Sequence, residues 1–176
     1  MIAATLRVAV PDDIPALHRL IESAYRGDSA RKGWTHEADL LDGQRTDLDA
    51  LAALIGNLGQ RMIIAEADFV PVGCVQVGDA GNGTAHLGHL SVDPNLQGAG
   101  LGRLLVSAAE SEAVSAFGAG AMEMTVIRQR AELIEWYQRL GYVATGEQRP
   151  FPLDDARFGL PRTRELSFIV MAKALE

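Results

Sequence analysis

One stretch constrains this chain more than any other: Leu90-Ser91-Val92-Asp93-Pro94-Asn95-Leu96-Gln97-Gly98-Ala99-Gly100-Leu101-Gly102-Arg103-Leu104-Leu105. A strand pattern runs into a turn, then into glycines at every second position, then into an amphipathic helix. Gly98, Gly100 and Gly102 let the backbone approach a ligand closely and adopt φ values that other residues avoid. The first turn of the helix leaves its N–H groups unpaired, with the positive end of the helix dipole behind them. Such a loop suits a phosphate or pyrophosphate, and Arg103 adds a full charge. Two better-known phosphate loops do not fit. The dinucleotide fingerprint needs a glycine where Arg103 stands, and the Gly-Lys-Ser/Thr of the P-loop is absent.

Around this loop the apolar periodicity predicts a strand over Thr5 to Val10 and a helix carrying Ile14, Leu17, Leu20, Ile21, Ala24 and Tyr25. Gly27 to Arg45 reads as irregular and polar. Thr46 is the expected cap of a second helix with Leu48, Leu51, Ala52 and Ile55 on one face. Strands follow over Met62 to Ala67, Val70 to Val77 and Thr84 to Val92, the last two joined by a turn over Asp79-Ala80-Gly81-Asn82-Gly83. A strong helix runs from Leu101 to about Phe117. After it come a strand over Met122 to Ile127, a helix through Leu133, Ile134, Tyr137 and Leu140 capped by Gly141, and a strand over Tyr142 to Thr145. A long loop from Arg149 reaches Pro161, and Leu166 to Met171 is the last strand. The order β-α-α-β-β-β-α-β-α-β-β describes a mixed α/β (α+β) domain with antiparallel early strands and one parallel crossover through the third helix.

With 176 residues and no internal repeat or linker, residues 1–176 are expected to form one domain. Lys and Arg total 16 against 23 Asp and Glu, a formal net charge of −7. That balance excludes binding that runs on phosphate neutralisation by a basic surface, and it excludes docking on an anionic membrane. The expected partners therefore include neither nucleic acid nor membrane. The single cysteine, Cys74, permits no internal disulfide and no cysteine-rich zinc site, and its apolar neighbours predict a buried, inert thiol. No stretch approaches the ~18 apolar residues of a membrane span. A cytoplasmic location and no metal are the expectations.

Gln97-Gly98-Ala99-Gly100-Leu101-Gly102 resembles the acyl-CoA loop of the GNAT superfamily of N-acetyltransferases, written Gln/Arg-x-x-Gly-x-Gly/Ala. Leu90 to Pro94 resembles that family's fourth strand and turn. Glu135-Trp136-Tyr137-Gln138-Arg139-Leu140-Gly141-Tyr142 resembles its later aromatic-Tyr…Gly-Phe/Tyr segment, and Leu6-Arg7 through Leu20 is similar to its first strand and helix. The resemblance implies a mostly antiparallel sheet of about seven strands with four helices, in a single acyl-CoA N-acyltransferase domain. It implies an N-acetyltransferase that uses acetyl-CoA as donor and a primary amine of a small molecule or peptide as acceptor, by direct attack in a ternary complex. Members are often dimers, so a homodimer is an expected assembly. A non-catalytic acyl-CoA-binding regulatory domain is the alternative.

The resemblance also assigns residues. Leu90, Ser91 and Val92 would lie along the pantetheine arm, and Gln97, Gly98, Ala99, Gly100, Leu101 and Gly102, with Arg103, would hold the pyrophosphate. Tyr137 stands where many members carry the tyrosine that protonates the leaving thiolate; a core tyrosine is the plainer reading. Arg130 replaces the family's usual Asn and is expected on a phosphate or the acceptor. His86 and His89 lie three apart on one strand and so are expected on opposite faces. His86 would share its face with Gly88, Leu90 and Val92 and is the expected general base, with a hydrogen-bonded strand histidine as the alternative. Trp34 and Glu37 fall where the family builds its acceptor wall. Trp34 would floor the pocket, and Glu37 would orient an ammonium or relay its proton. Glu22, Asp28, Glu37, Asp39 and Asp42 together suit a cationic amine.

Overall fold

A computed structural model describes residues 2–176. In chain order the elements are β1 (Thr5–Val8), α1 (Ile14–Tyr25), α2 (Gly27–Ala30), β2 (Leu41–Asp42), α3 (Leu48–Ile55), β3 (Gln60–Ala67), β4 (Val70–Gly81) and β5 (Thr84–Val92). Then follow α4 (Leu101–Phe117), β6 (Ala121–Ile127), α5 (Ala131–Arg139), β7 (Val143–Pro150), β8 (Leu160–Pro161) and β9 (Ser167–Ala174). The expected strands and helices are present. The short α2 and the β2–β8 pair are additional, and β7 runs on to Pro150.

Seven strands form one sheet in the order β1-β3-β4-β5-β6-β9-β7, and only the β5–β6 pair is parallel. Helix α4 makes that crossover. Its Leu101, Leu105, Val106, Ala109 and Ala113 pack on Val75, Val77, Ala85 and Leu87 of the sheet. The opposite face is covered by Leu17 and Ile21 of α1 and Leu51 of α3, which bury Met62, Ile64 and Cys74. Burial pushes the Cys74 thiol up to about 12, consistent with an inert side chain. The β4–β5 hairpin turns on Asn82 and Gly83, both at positive φ, as a two-residue turn between twisted strands requires.

Thr46 does not cap α3. Asp47 does, accepting the Ala50 N–H at 2.7 Å, because its carboxylate stands three residues before that donor. Thr46 is buried instead, its N–H held by Glu22 Oε1 at 2.9 Å.

Two features of the sheet build the site. The β5–β6 ladder has three residue pairs, Thr84–Ala121, Ala85–Met122 and His86–Glu123, after which the strands part. Beyond that point β5 also bulges against β4. Gln76 pairs with Gly88 and Cys74 with Ser91, leaving Val75 opposite both His89 and Leu90. His89 takes up the extra residue at φ +48°. This overturns the expectation of strict alternation. The bulge resets the parity of the strand, so Val92 joins Leu87 in the core beneath α4, and His86 and His89 come to one side.

The segments read as irregular fold onto each other. Leu41 pairs with Pro161 and Asp42 with Leu160, and Arg162 clamps Asp42 at 2.8 Å. Leu41, Ile127, Phe151 and Leu166 form a small core beneath them. No helix among the described residues is long and apolar enough to cross a membrane.

Candidate active site

A first cavity of about 220 Å³ runs from the glycine loop to the gap between the strands. Gly98 and Gly100 hold φ values of +86° and +88°, and a Cβ at either would meet nothing within 4 Å. Their backbones therefore face open space at the start of the 17-residue helix α4, as a phosphate cradle requires. Gly102 has a different reason to be glycine: a Cβ there would sit 3.3 Å from the Trp136 ring. Trp136 in turn packs against Trp34, with ring centroids 6.1 Å apart. The Gln97 side chain braces the loop, accepting the Trp34 N–H at 3.0 Å and donating to the Val92 carbonyl at 3.4 Å.

A second cavity of about 390 Å³ lies on the other side of the gap. His86 and His89 line it from β5, Arg26, Glu37 and Arg45 from the α1 end and the following loop, and Phe151 and Phe158 from the long loop. The two cavities share Tyr25, Leu90, Arg130, Leu133 and Tyr137. Tyr137 is 5% exposed and packs edge-on to Trp136 and Tyr142. Burial raises its pKa, so the phenol stays protonated. Tyr25 donates to the Leu90 carbonyl at 2.6 Å.

Burial lowers the His86 pKa, with Glu123 opposing and Arg149 assisting. At neutral pH His86 is therefore an unprotonated imidazole. His89 is pushed down to about 3 by burial, with Arg45 and His86 adding to the effect. Its Nδ1 lies 2.8 Å from Gln76 Oε1, which makes Nδ1 the protonated nitrogen of a neutral ring.

Glu37 bridges two guanidiniums, at 2.6 Å from Arg26 and 3.2 Å from Arg130. All three residues are at most 7% exposed. Burial works to raise the Glu37 pKa, but the charges of Arg130, Arg45 and Arg26 outweigh it and hold the carboxyl below its usual value. Arg130 also donates to Thr35 Oγ1 at 2.7 Å, which ties the start of α5 to the loop after α2.

The acetyltransferase (GNAT) domain family matches residues 36–151 of this chain. The chain belongs to the GNAT family. Solved GNAT-like structures align over nearly its whole length. One is yncA from Salmonella typhimurium with its cofactor acetyl-CoA, 24% identical with a TM-score of 0.72, over 99% of this chain and 95% of that one. Another is the ribosomal-protein-S18-alanine N-acetyltransferase from Escherichia coli, 17% identical with a TM-score of 0.71, over 99% and 95%. Ard1 from Thermoplasma volcanium is 16% identical with a TM-score of 0.73, over 99% of both chains. No curated protein matches the chain. The protein is thus an acetyltransferase of the GNAT family with the mixed α/β fold of that family.

Within this GNAT fold, Leu90, Ser91, Val92, Gln97, Gly98, Gly100, Leu101, Gly102, Arg103 and Arg130 line the first cavity, while Ala99 does not. Ser91 is buried, its hydroxyl spent on the His89 carbonyl at 3.0 Å. Trp34 lies on the first cavity rather than on the floor of the second. His86 and Glu37 line the second, and Tyr137 lines both. The acids expected to attract a cationic acceptor are already engaged. Glu22 accepts the N–H groups of Arg45 and Thr46, Asp28 and Asp39 pair with Arg31, Asp42 with Arg162, and Glu37 with its two arginines. Of these five only Glu37 reaches the second cavity.

Sequence reading missed Tyr25, Arg26, Arg45 and His89 as site residues. Tyr25 continues the apolar face of α1 and carries no local signal of its polar contact. The bulge that turns His89 toward the cavity depends on its register against β4, which no pattern within β5 reveals.

Proposed function

We propose that this protein transfers the acetyl group of acetyl-CoA to a primary amine, on a small molecule or a peptide, by direct attack in a ternary complex. One observation carries the reading: a cavity ending on a glycine cradle and a cavity lined by neutral histidines meet at Leu90 and Tyr137, where β5 and β6 part.

Acetyl-CoA supplies an activated thioester. The N–H groups of the Gly98–Gly102 loop, with Arg103, hold its pyrophosphate, and the Leu90–Val92 backbone flanks its pantetheine arm. The acceptor enters from the second cavity. Its ammonium must first lose a proton, and His86, kept neutral by burial, takes it. The amine nitrogen then bonds to the acetyl carbon. A backbone N–H near Leu90 steadies the oxyanion of the tetrahedral intermediate. When the C–S bond breaks, the thiolate takes the phenolic proton of Tyr137, and the nitrogen gives up its remaining extra proton, which returns the phenolate to phenol and leaves a neutral amide. Glu37 and Arg130 are positioning residues, since their charged groups are engaged with each other and with Arg26 and Thr35.

The test is release of CoA thiol with acetyl-CoA and a panel of amines, amino acids and peptides, repeated with Tyr137→Phe and His86→Ala. Turnover that falls in both variants supports the reading. Saturable acetyl-CoA binding with no turnover on any acceptor would make the protein a non-catalytic acyl-CoA-binding domain instead.

A further inference from the structure

The second cavity is positively charged in a molecule whose formal net charge is −7. Arg26, Arg45 and Arg130 line it, and Glu37 is the only carboxylate among the described residues that does. Glu132, at the start of α5, also pairs with Arg130, at 4.0 Å, so three guanidiniums less two carboxylates leave one positive charge. His86 and His89, both neutral, offset nothing.

That charge belongs to Arg45. Glu37 serves Arg26 and Arg130, Glu132 also serves Arg130, and Arg45 forms no ion pair with any described carboxylate. Its guanidinium lies over the Tyr25 ring, 4.9 Å from the centroid. Arg26 and Arg130, 7% and 6% exposed, each bury an Nε–H that has no hydrogen-bond partner among the described residues. Buried donors of this kind call for an acceptor, and buried guanidiniums in excess call for an anion. A planar guanidinium suits an oxyanion, which it can bind through two parallel hydrogen bonds.

Location sets the size of the ligand. Tyr25, beneath Arg45, also lines the junction of the two cavities, so the free guanidinium stands one side chain away from the proposed point of transfer. The positive field has a second consequence. It disfavours an ammonium and favours the free amine, the form that attacks. Phe151, Phe158 and Phe168 give the cavity an apolar wall for the body of the acceptor.

We propose that the acceptor is a small primary amine that also carries an oxyanion, a carboxylate or phosphonate, which Arg45 receives while an aromatic or aliphatic body packs on Phe151 and Phe158. This deepens the function proposed above and rests on it for the amine and the acetyl transfer.

The experiment uses matched acceptors on the full chain: phenylalanine, its phosphonate analogue, phenylalanine amide, phenethylamine and spermidine, each with saturating acetyl-CoA. The expected result is a kcat/KM at least tenfold higher for the carboxylate or the phosphonate than for the amide, the amine or spermidine. Converting the carboxylate to the amide lowers the amine pKa and so biases that comparison against this result; phenethylamine and spermidine have higher amine pKa values, so their rates are compared per free amine. Which of the two anions leads identifies the oxyanion. In Arg45→Gln the preference for the anionic acceptor should collapse toward unity. A second measurement needs no turnover: binding of N-acetylphenylalanine and of its amide to the CoA-saturated protein by calorimetry. Tighter binding of the acid, lost in Arg45→Gln, supports the anion site even if no acceptor is turned over, a result that would sink the transferase reading alone. Turnover with equal or reversed preference, or equal binding of acid and amide once CoA is bound, overturns the inference and leaves acetyl transfer standing.

Discussion

The Tyr25 hydroxyl donates a 2.6 Å hydrogen bond to the main-chain carbonyl of Leu90, 65 residues away in sequence. It joins the end of α1 to β5 at the bulge, at the junction of the two cavities. Tyr25→Phe keeps the packing and removes the bond. The expected cost is about 1 kcal/mol of stability, read by denaturant titration. Freed from this tie, the Leu90 peptide should also bind the pantetheine arm less well, which appears as a raised KM for acetyl-CoA. An unchanged KM would separate the bond from the site.

Gly100 begins α4 at φ +88° with open space where a side chain would go. Gly100→Ala meets no atom, so its effect isolates the backbone strain and the crowding of the cradle. A loss of about 1–2 kcal/mol in stability is expected, together with weaker acetyl-CoA binding by calorimetry. Binding at full strength would show that no phosphate approaches this backbone.

Tyr137→Phe removes a hydroxyl that no other described residue holds in a hydrogen bond. Stability should therefore stay near that of the parent chain, while kcat falls on the order of 10²-fold through loss of the general acid. Thermal unfolding and steady-state kinetics on the same preparation check both halves.

The His86 pKa is lowered by burial, with Glu123 opposing and Arg149 assisting, while His89 on the same cavity stays neutral. A base must be unprotonated to act, so kcat/KM should fall as pH drops through the His86 pKa. That limb should lie below the ordinary histidine value of about 6.5. His86→Gln should lack it; a variant that keeps the limb would move the base elsewhere.

Glu37→Gln leaves two buried guanidiniums without their shared carboxylate. A loss of about 3–5 kcal/mol is expected by chemical denaturation, with Glu37→Asp intermediate. The pH dependence has a definite sign. The folded-state pKa of Glu37 lies below its unfolded value of about 4.3, so its contribution is complete above that pH. It disappears as pH falls through the folded value, and acid unfolding of the parent chain should converge on that of Glu37→Gln.

Much of the fold was legible locally. The periodicity of Leu101, Leu105 and Ala109 marks α4, the spacing of Leu17, Leu20 and Ile21 marks α1, and Asp79 to Gly83 marks the hairpin, because each depends on near neighbours in the chain, although β4 runs on to Gly81 and leaves only Asn82 and Gly83 to turn. The loop at Gly98, Gly100 and Gly102 was legible for the same reason, since a helix start and the φ freedom of glycine are local properties. The β2–β8 pair was not. Its strands are two residues each and carry no pattern before they meet.

The sequence by itself determined the order of the seven main strands and of α1, α3, α4 and α5, the glycine loop before α4 and the position of Tyr137 on the inner face of α5. Tertiary structure decided where β5 leaves β6 and where it bulges against β4, because both are properties of the register between strands. It also decided the charge of the second cavity. A chain with more acids than bases places three arginines and one carboxylate there, and Glu37 and Arg130 meet across 93 residues of sequence. Net charge sums over every residue. The potential in a cavity depends on the few that line it and on which of them already have partners, and only folding sets that pairing.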